Sequence, residues 1–173
     1  MKTIVCFRSL VRHGVCLFVA SAALVLGGCA TGPASPSAAP RQISSDSARQ
    51  RSEIALAAMS LLDVRYKWGG RGPATGFDCS GLVRHVFAES TGRTITGNSA
   101  QLAAQSRPVD SSDLQPGDLV FFNTLGPAFS HVGVYIGSDR FVHASNERTG
   151  VRVDRLSNSY YAKRFEGARS LLD

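Results

Sequence analysis

A chain of 173 residues, 43% of them apolar and 18% charged, has the size of one globular domain and lacks the composition of a collagen, a coiled coil or a wholly disordered protein. Lys and Arg number 19 against 13 Asp and Glu, a formal charge of +6, but Lys2, Arg8 and Arg12 gather at the N-terminus and without these three the excess falls to +3. The other cations stand singly, with no basic stripe interleaved with aromatics, so no nucleic-acid partner is expected.

In chain order, the first predicted element is an address segment. Lys2, Arg8 and Arg12 precede an apolar run over 15–26, shorter than the ~20 apolar residues that span a bilayer, and residues 1–28 have the pattern of a signal peptide. Leu26-Gly27-Gly28-Cys29-Ala30 follows and resembles the lipobox of bacterial lipoproteins. That resemblance implies cleavage before Cys29, a diacylglycerol thioether on its sulfur and a further acyl chain, of the palmitate type, on its new amine. At ~0.8 kcal/mol per buried CH₂, more than one chain holds a protein on a membrane stably. Ala30, rather than Asp, resembles the outer-membrane sorting pattern, so the expected location is the periplasmic face of that membrane. An ordinary secretory signal with an incidental Cys29 is the alternative. Residues 29–45, dominated by Ala, Ser and Pro, form a flexible tether, and the folded domain spans 46–173.

Of the four cysteines, Cys6 and Cys16 leave with the signal and Cys29 is acylated, so Cys79 is left as a free thiol in an oxidising compartment. Such a thiol is either a small buried filler or a reactive group.

Apolar residues at helical spacing predict helices over 47–62 and 78–90, and a short third helix starts at Asn98 or Ser99. Short β-rich runs follow at 118–122, 131–136, 141–144, 151–153 and 164–171, bounded by Gly and Asp turn residues. Helices followed by a meander of strands predict an α+β domain with an antiparallel sheet. Asp78 is a candidate N-cap, which places Cys79 in the first helical turn, where the helix dipole favours thiolate. Leu82, Val83, Val86 and Phe87 share its side of the helix, while His85 falls on the solvent side. If Gly137-Ser138-Asp139 closes a hairpin as a three-residue turn, Gly133 pairs His143, and His131, Gly133, Tyr135, Phe141 and His143 share one face, the glycine leaving room between the two imidazoles. Cys79, His131 and His143 then supply a nucleophile, a base and an orienter for acyl transfer. Zinc is the competing constellation, but a close ligand pair such as CxxC or HExxH is missing, and no metal or organic cofactor is expected.

Tyr66-Lys67-Trp68-Gly69-Gly70, Gly76-Phe77-Asp78-Cys79-Ser80-Gly81-Leu82-Val83, Leu114-Gln115-Pro116-Gly117-Asp118, His131-Val132-Gly133-Val134-Tyr135 and Phe141-Val142-His143-Ala144-Ser145 resemble, in order, the motifs of the NlpC (NlpC and p-sixty) family of cell-wall cysteine peptidases. The resemblance covers residues 48–172 and extends to the lipoprotein endopeptidases of that family. It implies a papain-like core and hydrolysis of amide bonds in peptidoglycan stem peptides by a monomer. Carried over residue by residue, Cys79 is the nucleophile, His131 the base and His143 the third polar residue. Tyr66 is a candidate for substrate positioning or the oxyanion, with the Cys79 N–H as a second donor, and Asp78 and Ser80 are candidates for the substrate cleft. Each has a plainer alternative: Tyr66 as half-buried core, Asp78 as a cap alone, Ser80 as a first-turn residue. Where relatives often carry Arg ahead of the third helix this chain has Asn98, which puts recognition of a stem-peptide carboxylate in question. The resemblance leaves two bonds open, the D,D cross-link between D-alanine and diaminopimelate and the D-glutamyl to diaminopimelate bond. Two other classes compete with hydrolysis, a catalytically idle peptidoglycan-binding lipoprotein and a papain-like acyltransferase.

Overall fold

The computed structural model of the protein describes residues 45–172. The signal segment, Cys29 and residues 30–44 of the expected linker lie outside them. Helix α1 (Ser45–Met59) buries Ile54, Ala55 and Ala58, on the inward line that the sequence spacing predicts, and Arg51 with them. It stops short of Leu62 because the chain turns through Asp63 in the left-handed region, φ 66°, where the Asp63 N–H donates to the Val151 carbonyl. A miniature hairpin of β1 (Arg71–Gly72) and β2 (Gly76–Phe77) leads into α2 (Cys79–Thr91), capped by Asp78 and ended by Gly92 in the left-handed conformation. Helix α3 (Ser99–Gln105) starts with a reciprocal capping box between Asn98 and Gln101.

The sheet comprises β3 (Arg107–Val109), β4 (Leu119–Phe122), β5 (His131–Gly137), β6 (Arg140–Asn146), β7 (Gly150–Arg155) and, after the short helix α4 (Ser159–Ala162), β8 (Phe165–Ser170). All its pairings are antiparallel. Strands β4 to β7 form the expected meander, but β8 returns to lie between β3 and β4, giving the order β3-β8-β4-β5-β6-β7. One sheet face packs on α1 and α2 through Ile54, Leu82, Val86, Phe87, Val132 and Val142, all wholly buried. The other carries a smaller aromatic cluster of Phe122, Phe141 and Tyr161, with Val120. Fully burying one such side chain contributes roughly 1.5–3 kcal/mol.

The β5–β6 turn corrects the expected geometry. Gly137 pairs Arg140, so the turn has two residues, Ser138 and Asp139, both at positive φ (52° and 65°), the primed type that suits strand twist. A two-residue turn alone would reverse which side chains share a face. The ladder shifts between Tyr135 and Gly137, and this irregularity restores Tyr135 opposite Phe141 and Val134 opposite Val142. The shared face expected for the two histidines is therefore kept by a bulge that compensates for the shorter turn.

Candidate active site

Cys79 stands at the first position of α2, and Asp78 builds that corner. Its Oδ1 accepts from the Gly81 N–H (2.6 Å) and from the Ser80 hydroxyl (2.9 Å), while Oδ2 accepts from the Gly69 N–H (3.0 Å). One carboxylate thus ties the turn before β1 to the start of the helix. The close approach depends on Gly81, since a Cβ there would stand 1.9 Å from the Gly70 carbonyl oxygen. Ser80 is buried, with its proton engaged by Asp78.

His131 begins β5 and lies with Cys79 in a cleft of about 340 Å³, whose walls also include Tyr66, Asp78 and Ser80. All three predicted cleft residues are therefore at the site. Asp78 does both jobs, cap and wall. Tyr66 is half-buried, and its hydroxyl is raised above the ordinary phenol range by burial and by the nearby Cys79, Asp78 and Glu147. Asn98 lines the cleft, and its side-chain oxygen caps α3 by accepting from the Gln101 N–H. Next to it, the Ser99 hydroxyl is buried without a hydrogen-bond partner.

At Cys79 the helix-start position is opposed by burial. Burial, followed by the charge of Asp78, pushes its thiol up to about 11, against the pull of the Val132, Ser80 and Cys79 backbone N–H groups. A helix end contributes only ~0.3–1 kcal/mol toward the thiolate, and the cost of taking water from a sulfur anion acts against it. His131 is driven the other way, down to about 3, by burial and by His143. Both shifts favour the uncharged forms, a neutral thiol beside a neutral imidazole.

Behind His131, His143 is wholly buried on β6, with His131 Nε2 at 2.7 Å from His143 Nδ1. The contact uses Nε2 of His131, which leaves its Nδ1 available to Cys79. Gly133 makes this packing possible, since a Cβ there would stand 2.6 Å from the Phe141 ring and 3.2 Å from the His143 Cβ. His85, expected in solvent, is half-buried with its ring 5.2 Å from that of Phe77. Among the described residues no cluster of three His, Cys, Asp or Glu side chains is placed to hold a metal ion.

Sequence reasoning missed the groups beyond His143. Asp154 Oδ2 lies 2.9 Å from His143 Nε2, Arg152 Nη2 lies 2.6 Å from Asp154 Oδ1, and the Tyr161 hydroxyl stands 3.3 Å from the same His143 nitrogen. Burial raises the Asp154 carboxyl, but the bonds from His143 and Arg152 outweigh it and hold the group below the ordinary carboxylate range. It also missed two cleft walls. Leu125 comes from the β4–β5 connection, pinned where the Ser130 hydroxyl accepts from the Thr124 and Leu125 N–H groups (3.0 and 3.1 Å). Trp68, 73% exposed at the cleft, was legible within the Tyr66–Gly70 motif, where so large an apolar side chain had no core periodicity to serve.

A thiol at a helix start, facing a histidine on an antiparallel sheet that a second histidine holds, defines a papain-like cysteine site. Comparison with known proteins agrees: the NlpC/P60 family model matches residues 63–170, and the chain belongs to that family. It is similar to the murein DD-endopeptidase MepH of Escherichia coli (strain K12), 37% identical over 117 residues, which are 66% of this chain and 43% of that protein. It is also similar to the gamma-DL-glutamyl hydrolase of Bacillus subtilis (strain 168), at 35% identity over 75% of this chain and 31% of that protein. The chain spans less than half the length of these curated relatives. Among solved structures, the NlpC/p60 domain of the peptidoglycan hydrolase SagA is 30% identical with a TM-score of 0.59, covering 70% of this chain and 98% of that domain. An NlpC/P60 family protein from Bacillus cereus ATCC 10987, also 30% identical, has a TM-score of 0.66 and covers 71% of this chain and 40% of that one.

Proposed function

We propose that the protein is a lipid-anchored peptidoglycan endopeptidase that hydrolyses stem-peptide amide bonds with Cys79 as nucleophile. The observation that carries this reading is the juxtaposition, in one cleft, of the half-buried Cys79 thiol and an imidazole held from behind by His143. Of the two similar proteins, one is named a murein DD-endopeptidase and the other a gamma-DL-glutamyl hydrolase, and the first supports the D,D cross-link as the bond.

In the mechanism, the Cys79 sulfur attacks the substrate carbonyl as its proton passes to His131 Nδ1, so the thiolate exists only as the S–C bond forms. The developing oxyanion takes hydrogen bonds from the Cys79 N–H and the Tyr66 hydroxyl. When the C–N bond breaks, His131 returns the proton to the leaving amine, giving a thioester. Water then attacks the thioester, its proton passing to Nδ1 and on to the departing sulfur. Neutral partners suit this sequence, because no ion pair must be dismantled before substrate enters. Anchoring through acylated Cys29 at the periplasmic face of the outer membrane, with 29–45 as tether, completes the reading, and the lipobox pattern supports it.

The test is mass spectrometry of peptidoglycan digested by the wild-type protein and by Cys79→Ala. Muropeptides cut at D-alanyl-diaminopimelate, lost in Cys79→Ala and unaffected by EDTA, are expected. Bound but uncut muropeptides would make the protein a binder, and a new acyl adduct would make it a transferase. For the anchor, Cys29→Ser is expected in the soluble fraction with hydrolysis of soluble fragments intact; its retention in membranes at high salt would remove the lipid from the account.

A further inference from the structure

We infer that Asp154, held by Arg152, is the positioning residue that fixes the proton on both histidines and leaves His131 Nδ1 free to accept the Cys79 proton. This rests on the proposed thiol mechanism and concerns which nitrogen carries which hydrogen. An ionised carboxylate only accepts, so the 2.9 Å contact from His143 Nε2 to Asp154 Oδ2 requires the hydrogen on that nitrogen. The Tyr161 hydroxyl, at 3.3 Å and uncharged, is the weaker partner and is itself within hydrogen-bonding reach of Asp154 and Ser145. With Nε2–H assigned, neutral His143 has only a lone pair at Nδ1, and the 2.7 Å contact must be a hydrogen bond donated by His131 Nε2. His131 then carries no hydrogen at Nδ1. One carboxylate, two imidazoles away from the sulfur, thereby sets the base in its accepting tautomer and adds the negative charge that a second histidine lacks.

Arg152 makes the arrangement directional. It has only donors, and it occupies Asp154 Oδ1 at 2.6 Å. The groups facing His143 and Asp154 are Arg152 on the same strand, His131 from β5 and Tyr161 from α4, so a single anion is balanced by one fixed cation.

The directional clamp gives an unusual expectation for the isosteric variant. In Asp154→Asn, Arg152 demands the amide oxygen, which turns the amide NH₂ toward His143 Nε2. His143 must then accept there and donate from Nδ1 to His131 Nε2, and His131 is left with its hydrogen at Nδ1, unable to take the thiol proton. Removing the clamp as well, in Arg152→Met with Asp154→Asn, lets the amide rotate and present its oxygen to His143.

The readout is the second-order rate of Cys79 alkylation by iodoacetamide at pH 7 in the full-length protein, which needs no peptidoglycan. Asp154→Asn is expected to slow it about 30-fold, less than the ~10⁴-fold in kcat that a wrong tautomer costs a serine triad, because the fault is one imidazole further away. Arg152→Met/Asp154→Asn is expected within about threefold of Arg152→Met. An Asp154→Asn rate within twofold of wild type, or a double variant no faster than Asp154→Asn, overturns the proposal; a carboxylate with only a structural role gives the second result. His131→Ala separates the two levels. If it leaves alkylation unchanged, the thiol–imidazole reading itself falls, whereas slow His131→Ala with unaltered Asp154→Asn removes only the role of Asp154.

Discussion

The His131 and His143 rings meet edge to face, their planes at 90° and their nearest nitrogens 2.7 Å apart. This perpendicular contact directs one in-plane lone pair at one N–H. It therefore fixes the rotation of the His131 ring while His143, sealed between Phe141 and Tyr161, is itself held. The base is oriented by a side chain that solvent cannot reach.

Substitution of His143 should follow hydrogen-bonding capacity. Asn and Gln can accept from His131 Nε2 through oxygen and donate to Asp154 through nitrogen, so His143→Asn or His143→Gln should lose only about tenfold in kcat on muropeptides. His143→Ala should lose about 100-fold, within the range of ~10²–10⁴ for general acid–base groups. Equal activity of the Ala and Gln variants, both near wild type, would reduce the site to a Cys79–His131 dyad.

The parts of the site carried by short-range patterns were legible in the sequence. Asp78 ahead of Cys79 announces a cap and a first-turn thiol, and the alternation through Val132, Val134 and Val142 puts both histidines on the opposite face. What escaped depends on registers set by irregular backbone. Asp154 lay just past the run ending at Val153, because Asp is depleted in strands and the pattern stops there. Its position beside His143 further depends on the β6–β7 ladder shift between Ala144 and Asn146, which brings Arg152 opposite His143. The position of β8 between β3 and β4 is likewise a long-range pairing with no local signature.

Gly133→Ala tests the space between the histidines. The added Cβ would stand 2.6 Å from Phe141 Cδ2 and 3.0 Å from the Val142 carbonyl oxygen, so the strands must part. Overpacking of this kind costs ~1–3 kcal/mol. Because His143 is among the displaced groups, kcat should fall while KM stays near wild type. Loss of stability in urea with an unchanged kcat would show that the rings adjust independently of the backbone.

Asp118→Ala should be among the more destabilising changes far from the cleft. Asp118 is 1% exposed and accepts from Arg51 Nη1 at 2.7 Å and from the Gln115 N–H at 2.9 Å, joining α1 to the start of β4. Removing it leaves the Arg51 charge buried with only the Ser170 hydroxyl at 3.4 Å, a loss of ~3–5 kcal/mol in urea unfolding. Arg51→Met/Asp118→Leu should recover most of that, since replacing both ions by apolar groups is often neutral or stabilising. A double variant as unstable as the sum of its singles would mean that the two side chains contribute independently and that the ion pair has no coupling energy.

The pH dependence of stability should have a plateau with a limb on each side. Burial and His143 lower His131 from 6.5 to about 3, so between those values the unfolded chain binds the proton more strongly than the native protein. Stability from this group is therefore complete above about pH 6.5 and is lost as pH falls toward 3, at roughly 1 kcal/mol per pH unit. His143, also lowered by burial, adds in the same direction. Cys79 has the opposite sign: its native value of about 11 lies above the unfolded 9.0, so its contribution is complete below pH 9 and declines as pH rises toward 11. Urea midpoints measured from pH 4 to 10 should accordingly be highest between about pH 6.5 and 9. His131→Gln removes one titrating group from the acid limb and should flatten it relative to wild type, whereas Cys79→Ser should flatten only the alkaline limb. Identical acid slopes for wild type and His131→Gln would mean that His131 is protonated as readily in the native protein as in the unfolded chain, and the neutral resting pair assigned to the site would be wrong.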